Sequence, residues 1–215
     1  MDTIIFDLDG TLIDTSEGII NCADYAMEAL NLTKDEPYQL ELLIGPPLKK
    51  ALMDSFKISE QEAVQAVQKY RERYREKGIY ECRPYEGITD LIRKLKASGK
   101  QLGVATSKSE PFAKRMLKDF GLMDLFDVVV GESMDNSLTQ KTHIIRAVMD
   151  QLRSARLDEI IMVGDREFDV LGAKACGIAC VGVEYGFAVP GELASAGADY
   201  IVGDMAELGE LLLSL

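Results

Sequence analysis

Thr3-Ile4-Ile5-Phe6-Asp7-Leu8-Asp9-Gly10-Thr11 is the stretch on which the reading of this chain turns. An apolar run that does not alternate, closed abruptly by a carboxylate, suits a strand covered on both faces. The run is too short for a signal core or a membrane span. Asp7 and Asp9 are two residues apart on extended chain, so both can reach one ligand. Asp9-Gly10 alone is an ordinary turn signal. A calcium loop starting at Asp7 fails, because Leu12 fills the slot that needs glycine and Gly18 the slot that needs glutamate.

Five more short apolar runs occur later in the chain: Gln101 to Ala105, Val128 to Val130, Ile160 to Val163, Ala179 to Val183 and Tyr200 to Val202. Helical patterns separate most of them. Ile88, Leu91, Ile92 and Leu95 share one face of a helix that ends near Gly99. Ser109 is placed to cap a helix that stops at Gly121, and Ile144, Ile145, Val148 and Leu152 mark a further face. Strand and helix in alternation predict an α/β fold with a doubly wound parallel sheet.

Residues 16–82 break that alternation with helical patterns only. Ile19, Ala23, Ala26, Met27 and Leu30 fall on one face. Thr33 with Glu36, and Ser59 with Glu62, have capping-box spacing. Gly45-Pro46-Pro47 forces a turn. The expectation is a catalytic core from 1–15 and 83–215, carrying a small all-helical cap at 16–82. The cap should open and close on hinges near Asp14 to Glu17 and Cys82 to Pro84.

With 36 acidic and 24 basic residues, the chain carries a formal charge of -12. Such a surface repels nucleic acid and anionic membranes, so neither is an expected partner. Cys22, Cys82, Cys176 and Cys180 are too sparse for a disulfide scaffold and read as buried, inert thiols of a cytoplasmic protein. With His143 the only histidine and no second cysteine pair, a zinc site has no support.

In open parallel sheets, ligands bind beyond the carboxyl ends of the strands. After the successive runs come Asp7 to Thr11, then Thr106-Ser107-Lys108, then Gly131-Glu132, then Gly164-Asp165-Arg166-Glu167-Phe168-Asp169. Carboxylates and hydroxyls thus converge on one edge. Asp7, Asp9 and Asp165 make a hard oxygen site suited to Mg²⁺. A carboxylate can attack phosphorus if a metal and a lysine offset their mutual repulsion. Thr106 and nearby N–H groups, such as those of Gly10 and Ser107, would hold the phosphoryl oxygens. Arg166 and Glu167 read as surface residues. No Gly-x-x-x-x-Gly-Lys loop and no Gly-x-Gly-x-x-Gly fingerprint is present.

Asp7-Leu8-Asp9-Gly10-Thr11 resembles the first signature of the haloacid dehalogenase-like superfamily, and Gly164-Asp165 with Asp169 resembles its last. Thr106 matches the second signature. Lys141 is the candidate for the third, with Lys108 as its rival. The helical insert is similar to the small cap of the phosphoglycolate-phosphatase-like branch. The resemblance implies Asp7 as nucleophile, Asp9 as general acid and then base, Thr106 as phosphate ligand and Lys141 as stabilising cation. It implies Mg²⁺ on Asp7, the Asp9 backbone carbonyl and Asp165, supported by Asp169. The Gly45-Pro46-Pro47-Leu48 turn resembles the cap loop that faces the active site in relatives, which makes Gly45 and Lys49 candidate substrate contacts.

The resulting expectation is a Mg²⁺-dependent phosphatase acting on a small phosphorylated metabolite, such as phosphoglycolate or a 5′-nucleotide, as a monomer or a dimer. Asp9 speaks against carbon–halogen or carbon–phosphorus chemistry, because relatives with those activities lack an aspartate there. A phosphosugar mutase is the rival reading, and a non-catalytic interaction module on the same fold a third.

Overall fold

A computed structural model describes residues 1–32, 43–44, 48–133, 140–152 and 156–215. The Thr33–Glu36 capping box and the Gly45-Pro46-Pro47 turn lie outside the described residues. The chain forms two compact units, residues 1–13 with 84–215, and residues 14–83.

The larger unit is built on a six-stranded sheet. Its strands are β1 (Thr3–Phe6), β4 (Gln101–Ser109), β5 (Val128–Glu132), β6 (Ile160–Gly164), β7 (Ala179–Val183) and β8 (Tyr200–Val202). The order is β5-β4-β1-β6-β7-β8, and every pairing is parallel. The short pieces β2 (Ile13–Asp14) and β3 (Arg83–Pro84) form a separate two-stranded sheet where the chain passes between the units. From β1 the chain builds outward through β4 to β5, then returns to the other side of β1 to lay down β6, β7 and β8. The direction therefore reverses at β1, where parallel α/β sheets open a crevice at their carboxyl ends.

Right-handed crossovers place the helices before and after such a reversal on opposite faces. Ile5 packs on one face with Ile144, Ile145 and Val148 of the helix Lys141–Leu152 and Val170 and Ala173 of the helix Glu167–Cys176. Phe6, the next residue, points to the other face and meets Phe126 edge-on at 6.3 Å. Ile4, Ile5 and Phe6 are fully buried, as a strand covered on both sides requires. Each such side chain stabilises the fold by about 1.5–3 kcal/mol.

We number the helices α1 (Ser16–Ala29), α2 (Leu48–Phe56), α3 (Glu60–Glu76), α4 (Ile88–Ala97), α5 (Glu110–Asp119), α6 (Lys141–Leu152), α7 (Glu167–Cys176), α8 (Glu192–Ala196) and α9 (Met205–Ser214). Ser109 occupies the N-cap position of α5, but its side chain makes no capping bond. Ser109 is instead the last residue of β4, which continues past Ala105 through an irregularity to pair Ser109 with Glu132.

In the smaller unit, the described residues form helices α1, α2 and α3, a 3₁₀ turn at Gly78–Tyr80 and the short ends of β2 and β3. Ser59 and Glu62 form the capping box that starts α3: the Ser59 N–H donates to Glu62 Oε2 at 2.8 Å and the Glu62 N–H to Ser59 Oγ at 3.3 Å. Arg73 closes the unit through a two-pronged ion pair with Glu81, at 2.6 and 2.8 Å. Of the four cysteines, Cys22 and Cys180 are buried. Cys82 and Cys176 are only partly so: Cys82 lies between the 3₁₀ turn and β3, and Cys176 is the last residue of α7. No described helix is long and apolar enough to cross a membrane.

Candidate active site

The register of the three central strands builds the site. Phe6 pairs with Val104 on one side and Val163 on the other, so the three central strands are in step at the carboxyl end of β1. The Asp7 N–H extends the ladder by one bond, to the Val163 carbonyl at 2.8 Å. Asp7, Thr106 and Asp165 are thereby delivered to one edge by backbone pairing alone. Asp169 enters from the first turn of α7, where the Arg166 N–H donates to its Oδ2 at 3.1 Å.

Three carboxylates, Asp7, Asp165 and Asp169, each bring an oxygen within 4.8 Å of the others. Lys141, the first residue of α6, reaches into the cluster. Its Nζ lies 2.8 Å from Asp7 Oδ1 and 2.6 Å from Asp169 Oδ1, and its side chain is 6% exposed. Burial pushes the Asp7 carboxyl up to about 6; Lys141 opposes this, while Asp169 and Asp9 add to it. Asp165 is pushed well above the usual carboxylate range, by burial and then by the charges of Asp169 and Asp7. Burial alone would lower the Lys141 pKa, but Asp169 and Asp7 outweigh it and the net direction is upward. Three crowded carboxylates against one ammonium leave negative charge uncompensated in a largely buried site. Hard oxygen donors in that state fit a divalent cation of the Mg²⁺ type.

Asp9 is held apart from this cluster by Lys108, whose Nζ lies 2.8 Å from Asp9 Oδ1. The two lysines that compete in the sequence are therefore both at the site, one on Asp7 and one on Asp9. Thr106 is buried, and its hydroxyl accepts the Lys108 N–H at 3.1 Å. An accepting hydroxyl still has its own proton to donate. Ser107 is exposed beside it and Gly10 is buried. Gly45 lies outside the described residues. Lys49 belongs to the other unit, on α2, paired with Glu60 at 2.5 Å.

Asp165 is walled in more tightly than the sequence suggests. Thr11 O–H donates to its Oδ1 at 3.1 Å and the Phe187 N–H to its Oδ2 at 2.8 Å. Gly10, at φ +80°, and Gly186 both lie so close to it that a Cβ on either would overlap its carboxylate. Tyr185 O–H donates to the Thr11 carbonyl at 3.0 Å, pinning the turn after β1. Arg166, expected at the surface, is instead buried: its Nε donates to Glu192 Oε1 at 2.8 Å and its guanidinium lies 5.8 Å from the Phe168 ring centre. A buried partner 26 residues away leaves no local trace in the sequence. Tyr185, Gly186 and Phe187 come just after β7, so their signal in the sequence is the one that marks Asp165: a place beyond the end of an apolar run, here the fifth.

The family model for the haloacid dehalogenase-like hydrolases matches residues 4–183. The chain belongs to that family and is an enzyme of it, built on the α/β core expected from its sequence. Its relatives include a 5′-nucleotidase of Pseudomonas aeruginosa, 38% identical over 97% of this chain and 94% of that one. Another is the tyrosine-protein kinase PtkA of Mycobacterium tuberculosis, 36% identical over 86% of this chain and 62% of that protein. Among solved structures, a predicted phosphatase from Clostridium acetobutylicum superposes with a TM-score of 0.91 at 40% identity, over 100% of this chain and 99% of that one.

Proposed function

We propose that this protein is a Mg²⁺-dependent phosphatase that hydrolyses a small phosphomonoester, a 5′-nucleotide or an ester of similar size such as phosphoglycolate, through an aspartyl phosphate on Asp7. The observation that carries the reading is Lys141, a buried ammonium held between Asp7 and Asp169 beside Asp165. The Pseudomonas 5′-nucleotidase, related over nearly its whole length, supports the nucleotide as first substrate class.

The Asp7 and Asp165 carboxylates and the Asp9 carbonyl would hold the metal, with Asp169 in support. Bound there, Mg²⁺ supplies positive charge that offsets the repulsion between carboxylate and phosphoryl oxygens. Lys141 adds charge from the protein side and keeps Asp7 ionised against the pull of burial. Thr106 donates its hydroxyl proton to a phosphoryl oxygen. An Asp7 oxygen forms the bond to phosphorus as the bond to the leaving oxygen breaks, and Asp9 gives that oxygen its proton. Asp9 then takes a proton from water, whose oxygen attacks phosphorus and releases Asp7 and phosphate.

The test is phosphate release from a panel of 5′-nucleotides and phosphoglycolate, with and without Mg²⁺, for wild type and Asp7→Asn. Metal-dependent release by wild type alone is the expected result. Isomerisation of hexose phosphates without phosphate release would replace the reading by a mutase.

A further inference from the structure

Glu192 lies outside every motif that carries the chemistry, yet its carboxylate gathers three donors. Oε1 accepts from Arg166 Nε and from the Glu167 N–H, both at 2.8 Å, and Oε2 accepts from the Val189 N–H at 3.1 Å. The Arg166 and Glu192 side chains are 9% and 8% exposed. Burial acts to raise the Glu192 pKa, but hydrogen bonds from Arg166, Glu167 and Val189 outweigh it and hold it low. One charged group thus ties the start of α7 to residues 184–191, the segment between β7 and α8.

Each of the tied segments delivers a backbone N–H to a carboxylate of the cluster. Arg166 donates to Asp169 Oδ2 at 3.1 Å, and Phe187 to Asp165 Oδ2 at 2.8 Å. Gly186, in the second segment, packs directly on Asp165 and on the Gly10 carbonyl. Helix α8 has only five residues and cannot hold the segment by its own hydrogen bonding. An exposed ion pair would contribute little, but a carboxylate this enclosed that accepts three bonds fixes the geometry of its donors.

We propose that Glu192 is a positioning residue for the metal-binding carboxylates: it clamps residues 184–191 to the start of α7, and so holds Asp165 and Asp169 in the orientation that binds the cation. This inference rests on the metal site of the proposed function. Groups that orient the ligands of a metal typically contribute 10–100-fold to its affinity. Glu192→Ala should therefore weaken binding by at least ~10-fold. Glu192→Gln keeps an acceptor for Arg166 and Glu167 but turns an amide toward Val189, and should fall between.

The experiment titrates metal-free protein with Mn²⁺ and follows the loss of the free-ion paramagnetic resonance signal, with folding checked by circular dichroism. Leu95→Ala, a destabilising change in α4, is the control and should bind as wild type does. A folded Glu192→Ala protein with wild-type affinity overturns the proposal. If that variant does not fold, Glu192→Gln decides: several-fold weaker binding supports the proposal, and unchanged binding overturns it. Failure of wild type itself to bind Mn²⁺ would remove the metal site of the proposed function, an outcome distinct from an unaffected variant.

Discussion

Asp7→Asn should kill the enzyme and stabilise the metal-free protein. In the absence of metal, burial raises the Asp7 pKa from 3.8 to about 6, against the opposing charge of Lys141. The folded state thus binds the Asp7 proton more tightly than the unfolded chain does. The stability linked to that proton is fully present below pH 3.8 and is lost as pH rises to about 6. A rise of that size is about 3 kcal/mol, at about 1.4 kcal/mol per pKa unit. Asparagine keeps the shape and carries no charge, so it escapes this loss. At pH 7.5, in chelator, the variant should melt about 6–12 °C above wild type, and the gap should close near pH 4. With Mg²⁺ at 100 times its dissociation constant, wild type should gain about 2.7 kcal/mol and the variant much less. Melting curves at pH 4, 5, 6 and 7.5, with and without metal, make the comparison. A variant less stable than wild type at pH 7.5, or a gap that does not change with pH, would refute the account of Asp7 as a carboxylate held ionised at a cost to stability.

Lys141→Met leaves Asp7 and Asp169 buried without their ammonium, which should destabilise the metal-free protein by about 3–5 kcal/mol at pH 7.5. The deficit should shrink in acid as Asp7 protonates, and phosphate release should fall at least ~100-fold. Thr106→Ala should lower kcat by about 100-fold while leaving Mn²⁺ affinity unchanged, because the proposed partner of its hydroxyl is phosphate and not the metal. Leu95→Ala removes a fully buried side chain of α4 and should cost about 2–5 kcal/mol in urea unfolding, with kcat at saturating metal within about twofold of wild type.

The parallel sheet was legible because its evidence is local. Ile4-Ile5-Phe6 and the later apolar runs are strands in themselves, and the helical faces between them leave only parallel crossovers. The candidate chemistry at the strand ends was legible for the same reason, since an Asp after an apolar run is visible without knowing its neighbours. Spacing also disclosed the Ser59–Glu62 capping box, which is a contact across three residues.

Every pairing across the chain depended on tertiary structure. Lys141 and Lys108 both lie beside elements that end at the site, and only the register of β1 with β4 and β6, with α6 packed beneath, gives one to Asp7 and the other to Asp9. Arg166 looked like a surface residue because its partner, Glu192, is 26 positions away on a short helix with no periodicity to betray it. The enclosure of Asp165 by Thr11, Gly10, Gly186 and Phe187 joins segments more than 150 residues apart. A sequence states which groups are available at each strand end; which of them share a charge depends on distances that exist only once the sheet is assembled.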